Sequence, residues 1–210
     1  MQVKHVAPST IRRLSLYLHF LEMCAQAGTA TVSSRALAEA GGATPAQVRK
    51  DLSFFGSFGR RGVGYPVPQL AEHLREILGL SRSYRVVLVG AGRLGAALAH
   101  FEGFRDRGFE IVAVYDADPA KVGAALDGLA VRDEGSLEAD LAAQPADIGV
   151  IGVPCAAAQA VADRLVKAGV KALLNFAPVH LAVPEGVSVK HVNLALELDG
   201  LAFALRNGDR

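Results

Sequence analysis

The chain has 210 residues, 51% hydrophobic and 20% charged, which suits one large or two small folded cores and excludes a disordered chain. No stretch approaches the roughly 18 apolar residues of a membrane helix, and the N-terminus lacks the apolar segment of a secretion signal, so a cytoplasmic protein away from the membrane is expected. The net charge of +1 hides an asymmetry: residues 1–79 hold 9 Lys+Arg against 5 Asp+Glu, residues 80–210 hold 13 against 16, and a basic first part fits nucleic-acid contact by that part alone.

In chain order, Ser9-Thr10 can cap a first helix in which Ile11, Leu14, Leu18, Leu21 and Ala25 follow three-four spacing, and Gly28 ends it. Thr31-Val32 reads as a short extended piece. Ser33-Ser34 caps a second helix over Arg35 to Ala40, which Gly41-Gly42 stops. A third helix then starts, with Thr44 as cap, Pro45 in the first helical position and Gln47 completing a capping box. Two helices joined by a glycine-containing turn give the helix-turn-helix pattern.

On the third helix, Val48, Leu52 and Phe55 share one side and are expected to pack on the first two helices. Gln47, Arg49, Lys50 and Ser53 fall largely on other faces. A recognition helix needs N-terminal side chains at base edges and cations near phosphates. Thr44, Gln47, Arg49, Lys50 and Ser53 are therefore candidate contacts to double-stranded DNA. Gly56 to Val67 reads as a hairpin, the wing, whose tip carries Arg60-Arg61 within reach of a backbone or minor groove. A small helical dimerisation domain with a solvated charged face is the plainer reading of the same residues. Leu70 to Leu80 reads as a helix linking two domains, with the boundary of a first domain, 1–79, at Gly79 and Ser81-Arg82-Ser83.

Arg85 to Val89 is an unbroken apolar run after its first residue, as in a parallel strand covered on both faces. It leads into Gly90-Ala91-Gly92-Arg93-Leu94-Gly95 and a helix from Ala96 to about Arg105. In this context the first glycine permits a tight turn, the second lets a pyrophosphate approach the backbone, and the third lets helix pack on strand. A second strand, Phe109 to Tyr115, ends in Asp116, 21 residues beyond Gly95, where a carboxylate accepts hydrogen bonds from the adenosine ribose. A 2′-phosphate there would meet Asp116 and Asp118, so NAD(H) is expected over NADP(H). Asp116 can also cap a following helix, although Asp118 before Pro119 fills that role better.

Further strands are expected at Asp147 to Val153, Lys171 to Phe176 and Val187 to Val189, with a helix from Pro154 to about Ala168. Such alternation implies a doubly wound, Rossmann-like parallel α/β sheet over residues 80–190. Strand carboxyl ends face the ligand, so Val153, Pro154, Asn175, Phe176, Ala177 and Pro178 join the glycine motif as candidate cofactor neighbours; ordinary strand-ending loops are the alternative. The last helix, Asn193 to Arg206, is apolar on nearly every face, which predicts docking into a partner subunit and a homodimer through residues 191–210.

Little of residues 80–210 is left over to build a substrate pocket. His180 and His191 belong to no recognisable catalytic constellation, so no catalytic residue is expected. Cys24 and Cys155 make no metal-ligand spacing, and their apolar, helix-like surroundings predict two buried, inert thiols. Two readings compete with a sensor: a small NAD-dependent oxidoreductase with an accessory N-terminal domain, and a CoA-binding domain on the same type of sheet.

With these motifs in place, the whole chain resembles the Rex family of bacterial redox-sensing repressors. The resemblance rests on Gln47-Val48-Arg49-Lys50-Asp51-Leu52-Ser53, Gly62-Val63-Gly64-Tyr65, the glycine motif from Gly90 to Gly95, and Asn175-Phe176-Ala177-Pro178. It implies a homodimer whose winged-helix domains bind a palindromic operator, a domain-swapped C-terminal helix, and release from DNA when NADH binds. It also implies that Arg49 and Lys50 lie on the recognition helix and Arg60 and Arg61 on the wing. Gly90, Gly92, Arg93, Leu94, Gly95 and Asp116 would contact the dinucleotide. Family members often carry Arg, Tyr and Asp where this chain has His19, Phe101 and Asn193, positions tied to coupling between cofactor and DNA domain. Release by NADH is expected here without those fixed charges and that hydroxyl.

Overall fold

The computed structural model describes residues 6–59 and 63–208, which form two compact units parting between Arg82 and Ser83. The first contains α1 (Pro8–Gln26), β1 (Thr31–Val32), α2 (Ser34–Gly41), α3 (Pro45–Ser53), β2 (Tyr65–Pro66) and α4 (Val67–Ile77). α1 begins at Pro8 rather than behind a Ser9-Thr10 cap, because proline's fixed φ suits the first helical position; Ala7 precedes it without a side-chain cap. Leu14, Tyr17, Leu18 and Leu21 of α1 pack with Leu37, Val48, Leu52, Val67, Leu70 and Leu74. α4 is thus part of this core and not a linker, and Arg75 ties it to Glu22 of α1 at 3.1 Å.

The tip of the expected hairpin within Gly56 to Val67, residues 60–62, lies outside the described residues, and the described end of that segment returns to an earlier strand. β2 pairs antiparallel with β1, Val32 opposite Tyr65. The reason is packing: Val32 and Tyr65 both enter the core, and Gly64 (φ +96°) passes so close to β1 that a Cβ there would sit 2.5 Å from the Val32 carbonyl oxygen. Arg60 and Arg61 lie outside the described residues.

The second unit contains β3 (Tyr84–Val89), α5 (Arg93–Ala99), α6 (Glu102–Arg105), β4 (Phe109–Asp116), β5 (Ala125–Leu126), β6 (Leu129–Asp133), α7 (Leu137–Ala143), β7 (Ile148–Ile151), α8 (Cys155–Lys167), β8 (Ala172–Asn175), β9 (Ser188–His191) and α9 (Leu194–Asn207). Among the described residues the strands form a sheet ordered β5-β6-β4-β3-β7-β8-β9, parallel except for β5 against β6. The chain starts at the centre, winds outward through β4 to β6, then returns to β7 and winds the other way. This doubly wound order reverses between β3 and β7, where such sheets open a ligand crevice. The apolar run of β3 is explained by cover on both faces: Val87 and Val89 pack on one side, Val86 and Leu88 on the other.

Several elements depart from the expectations. The helix after the glycine motif starts at Arg93 and breaks at His100-Phe101, where Phe101 turns extended before the one-turn α6. The Phe101 ring lies over Gly103, where a Cβ would come within 2.7 Å, and edge-on to Phe104. The β5–β6 hairpin, closed by Asp127-Gly128 with both residues at positive φ, was not expected, although Asp-Gly between apolar pairs is its usual signature. Cys155 is exposed and Cys24 only half-buried, against the expectation of two buried thiols; Cys155 is the first residue of α8, where packing on the sheet has not begun. α9 has no buried residue, and Leu205 is 86% exposed. Among the described residues no helix is long and apolar enough to cross a membrane.

Candidate functional site

α3 presents two kinds of polar residue. Thr44, Arg49, Lys50 and Ser53 are exposed. Thr44 Oγ1 accepts the Gln47 backbone N–H at 3.2 Å, the expected N-cap. Arg49 donates to Ser34 Oγ at 3.1 Å, bracing α3 on the start of α2, and Ser53 Oγ donates to the Lys50 carbonyl at 2.9 Å.

Gln47 behaves differently. Its side chain does not close the capping box but donates from Nε2 to Asp51 Oδ1 at 2.7 Å. Asp51 is only 3% exposed. It also receives Arg13 Nη2 on Oδ1 and Arg13 Nε on Oδ2, each at 2.7 Å, and the Tyr17 hydroxyl on Oδ2 at 3.1 Å. A paired guanidinium fork of this kind is among the stronger polar contacts. Burial pushes the Asp51 carboxyl up, but the bonds from Arg13, Gln47 and Tyr17 outweigh it and hold the group below its ordinary range, so it is ionised. The Tyr17 hydroxyl is pushed up to about 12, first by burial and then by the Asp51 charge. Sequence reading singled out none of Arg13, Tyr17 or Asp51 as a network, because the partners stand 34 and 38 residues apart.

In the second unit, the glycine motif sits at the reversal between β3 and β7. Gly90 (φ +105°) lies against the turn after β7: a Cβ on it would fall 2.6 Å from the Gly152 carbonyl oxygen and 3.1 Å from Val153 Cγ1. A Cβ on Gly95 would collide with the Gly90 carbonyl, so helix and turn approach as closely as backbones can. Gly92 differs from both, because a Cβ there would meet nothing within 4 Å. Arg93 and Leu94 are exposed beside it. The space over Gly92 is a cradle in which a ligand can reach the backbone.

Asp116 closes one side of this crevice. It is 7% exposed. Its Oδ2 accepts the Ala91 backbone N–H at 2.7 Å and Lys121 Nζ at 3.0 Å, and its Oδ1 accepts the Asp118 N–H at 2.8 Å. Burial pushes this carboxyl up as well, and bonds from the Asp118 backbone, Lys121 and the Ala91 backbone bring it below its ordinary range. Lys121, which sequence reading did not select, also stands 3.7 Å from Asp118. An ionised acceptor at the strand end and an open glycine turn fit the adenosine ribose and pyrophosphate of a dinucleotide.

The other candidate neighbours divide by exposure. Val153 is half-buried against Gly90, and Pro154 and Pro178 are exposed. Asn175 is fully buried and holds its own loop: Nδ2 donates to the carbonyls of Ala177 (3.0 Å) and Val179 (2.9 Å), and Oδ1 accepts the Ala177 N–H (2.9 Å). Ala177 is buried too, and Phe176 packs into the core beside β3.

Fold and site together define a class of protein: a helix-turn-helix domain joined to a dinucleotide-type sheet. Comparison with known proteins agrees for each half. A family model described as "CoA binding domain" matches residues 81–179, and one described as "Putative DNA-binding protein N-terminus" matches residues 5–53. The redox-sensing transcriptional repressor Rex of Carboxydothermus hydrogenoformans is 49% identical over 96% of this chain and 97% of its own. The crystal structure of RSP, a Rex-family repressor, with β-NAD+ and operator DNA matches with TM-score 0.91 and 37% identity, covering 98% of this chain and 95% of RSP. RSP with β-NADH gives TM-score 0.89 and 36% identity, covering 98% and 97%. The chain belongs to the Rex family of redox-sensing transcriptional repressors.

Proposed function

We propose that this chain is a transcriptional repressor, not an enzyme, that binds a palindromic operator and is released by NADH, so that it senses the NADH/NAD+ ratio. The observation that carries this reading is the presence in one chain of a braced recognition helix and of an ionised Asp116 bonded to Ala91 of an open glycine turn. RSP supports it as a relative described with operator DNA and β-NAD+ and, separately, with β-NADH.

In this account Thr44, Arg49, Lys50 and Ser53 meet the operator, with Arg60 and Arg61 on the wing, while Gln47 acts from behind by fixing α3 through Asp51. Gly90 to Gly95 accept the pyrophosphate, Asp116 accepts ribose hydroxyls, and Val153, Pro154 and the Asn175 to Pro178 loop border the crevice. NAD(H) supplies a nicotinamide ring whose charge differs between its oxidised and reduced forms. Asp116 and Asp118 repel a phosphorylated ribose, which disfavours NADP(H), with its 2′-phosphate, and CoA, with its 3′-phosphate.

On this reading the domains are 1–79 for DNA, 80–190 for the dinucleotide and 191–210 for dimerisation, the first limit standing three residues before the division between Arg82 and Ser83. α9 exposes Leu194, Leu196, Leu198, Leu201, Phe203 and Leu205, a surface that a second copy of the chain would bury in a homodimer. We place the protein in the cytoplasm. Where relatives have an aspartate, Asn193 accepts the Ala195 N–H at 3.0 Å as the cap of α9, so its oxygen already has a structural task. The coupling then rests on packing more than on a charged network.

The test is fluorescence anisotropy of the full chain on a palindromic duplex selected against it, at one stated salt concentration, with NADH, NAD+ or CoA added. Release by NADH, with CoA without effect, is expected. Binding of NADH with turnover of a small carbonyl and no DNA binding would replace this reading by an oxidoreductase.

A further inference from the structure

We infer that Lys121 is a latent 2′-phosphate ligand held off by Asp116, so that the Asp116–Lys121 pair, rather than Asp116 alone, sets the preference for NAD(H) over NADP(H); this rests on the dinucleotide reading above. Lys121 follows the end of β4 by five residues, and its ammonium reaches back to the carboxylate that closes the crevice, 3.0 Å from Asp116 Oδ2. Its side chain is 39% exposed, so it can leave that position without breaking a core contact. The second contact of the ammonium, with Asp118, is longer at 3.7 Å, and Asp118 is itself half-exposed.

The acceptor pattern on Asp116 shows how the pair discriminates. Oδ2 is filled by the Ala91 N–H and Lys121, whereas Oδ1 carries the Asp118 N–H alone and has an acceptor lone pair left for a ribose hydroxyl. An unmodified ribose can therefore be accepted with Lys121 in place. A 2′-phosphate brought to the same edge meets two carboxylates and one ammonium already paired with both, so the local charge is negative. Removing the Asp116 charge changes the sign of the problem. Lys121 loses its near partner, and a flexible ammonium is free to turn to the phosphate. Its bonds to the carboxylate hold Lys121 above its ordinary range, so it is cationic throughout the physiological range and would still be so when released.

A double-mutant cycle on the full-length protein separates these roles. NADH and NADPH are titrated by calorimetry against wild type, Asp116→Ala, Lys121→Ala and the double variant, and the ratio Kd(NADPH)/Kd(NADH) is compared. Wild type should prefer NADH. Asp116→Ala should lower the ratio by about a hundredfold, and adding Lys121→Ala should return about tenfold of that, the worth of one charge-assisted contact. Lys121→Ala alone should raise the ratio several-fold, because two unshielded carboxylates then face the phosphate. Asp116→Asn, which keeps an acceptor for the Ala91 N–H while removing the charge, repeats the cycle should the alanine variant fold poorly. Equal ratios in the Asp116 variant and the double variant would overturn the inference and hand the phosphate to another cation, such as Arg93. A wild type that binds no NADH would instead contradict the dinucleotide reading itself.

Discussion

Each unit carries a buried carboxylate beside its functional face, and the two are used in different ways. Asp51 is saturated from within: Arg13, Tyr17 and Gln47 fill both oxygens, and the charged partner reaches in from α1. Asp116 is held by its own loop and by a half-exposed lysine, and one of its oxygens takes a single donor, which leaves an acceptor lone pair. A carboxylate filled by its own fold sets a shape, here the seating of α3. One left partly open at a strand end is placed to meet something that arrives.

That contrast breaks most easily by deleting the two acids. Asp51→Ala leaves a guanidinium, a hydroxyl and an amide without their acceptor, and should destabilise the protein by about 3 kcal/mol in urea unfolding. Asp116→Asn, which keeps an acceptor for the Ala91 N–H while Lys121 returns to water, should cost less than half of that. Equal losses would remove the distinction.

Glycines sharpen it next. Gly41→Ala would drive a Cβ into the Tyr17 ring and Gly95→Ala one into the Gly90 carbonyl, so each should lose about 1–3 kcal/mol. Gly92→Ala has open space and ordinary backbone, so it should melt like wild type yet bind NADH at least about tenfold more weakly by obstructing backbone approach.

The pH dependence follows from Tyr17. Its folded value of about 12 lies above the unfolded value near 10, so the stability it contributes is full below pH 10 and is lost as pH rises toward 12. The loss should be on the order of 2 kcal/mol, and Tyr17→Phe should flatten it in melts taken between pH 9 and pH 12. Asp51 and Asp116 act at the other end. Both are lowered, so their contributions are present above the unfolded carboxylate range and fade as pH falls through the folded values.

The smallest effects are those on DNA. Lys50→Ala should reduce the slope of log affinity against log salt by about one if it touches a phosphate. Gln47→Ala should leave the slope unchanged and act only through the stability of α3, because its amide is turned to Asp51.

Much of this was legible in the sequence, for reasons that differ along the chain. The glycine motif, the strand before it and Asp116 sit within one βαβ unit, so their spacing alone determines where they meet. α3 carried its own cap and proline. The Asp51 network was not legible, because Arg13 lies 38 residues away on a helix whose rotation about its axis is set only by packing. Lys121 was missed for the opposite reason: it is close in sequence to Asp116, but a single lysine in a turn carries no periodic signal. The strand at Tyr65-Pro66 shows a third limit. Local spacing pointed to the turn before Tyr65, but not to the strand that pairs with it, which is at Val32, before α2.

Coupling between the two units is what makes the chain a sensor, and reciprocal titration measures it. NADH affinity is determined by calorimetry with the full chain free and with the chain saturated by its operator duplex, at one salt concentration. Linkage requires that operator DNA weaken NADH binding by the factor by which NADH weakens operator binding, and roughly 5- to 150-fold is expected, equivalent to about 1–3 kcal/mol. An NADH affinity that is the same with and without operator DNA would contradict the account.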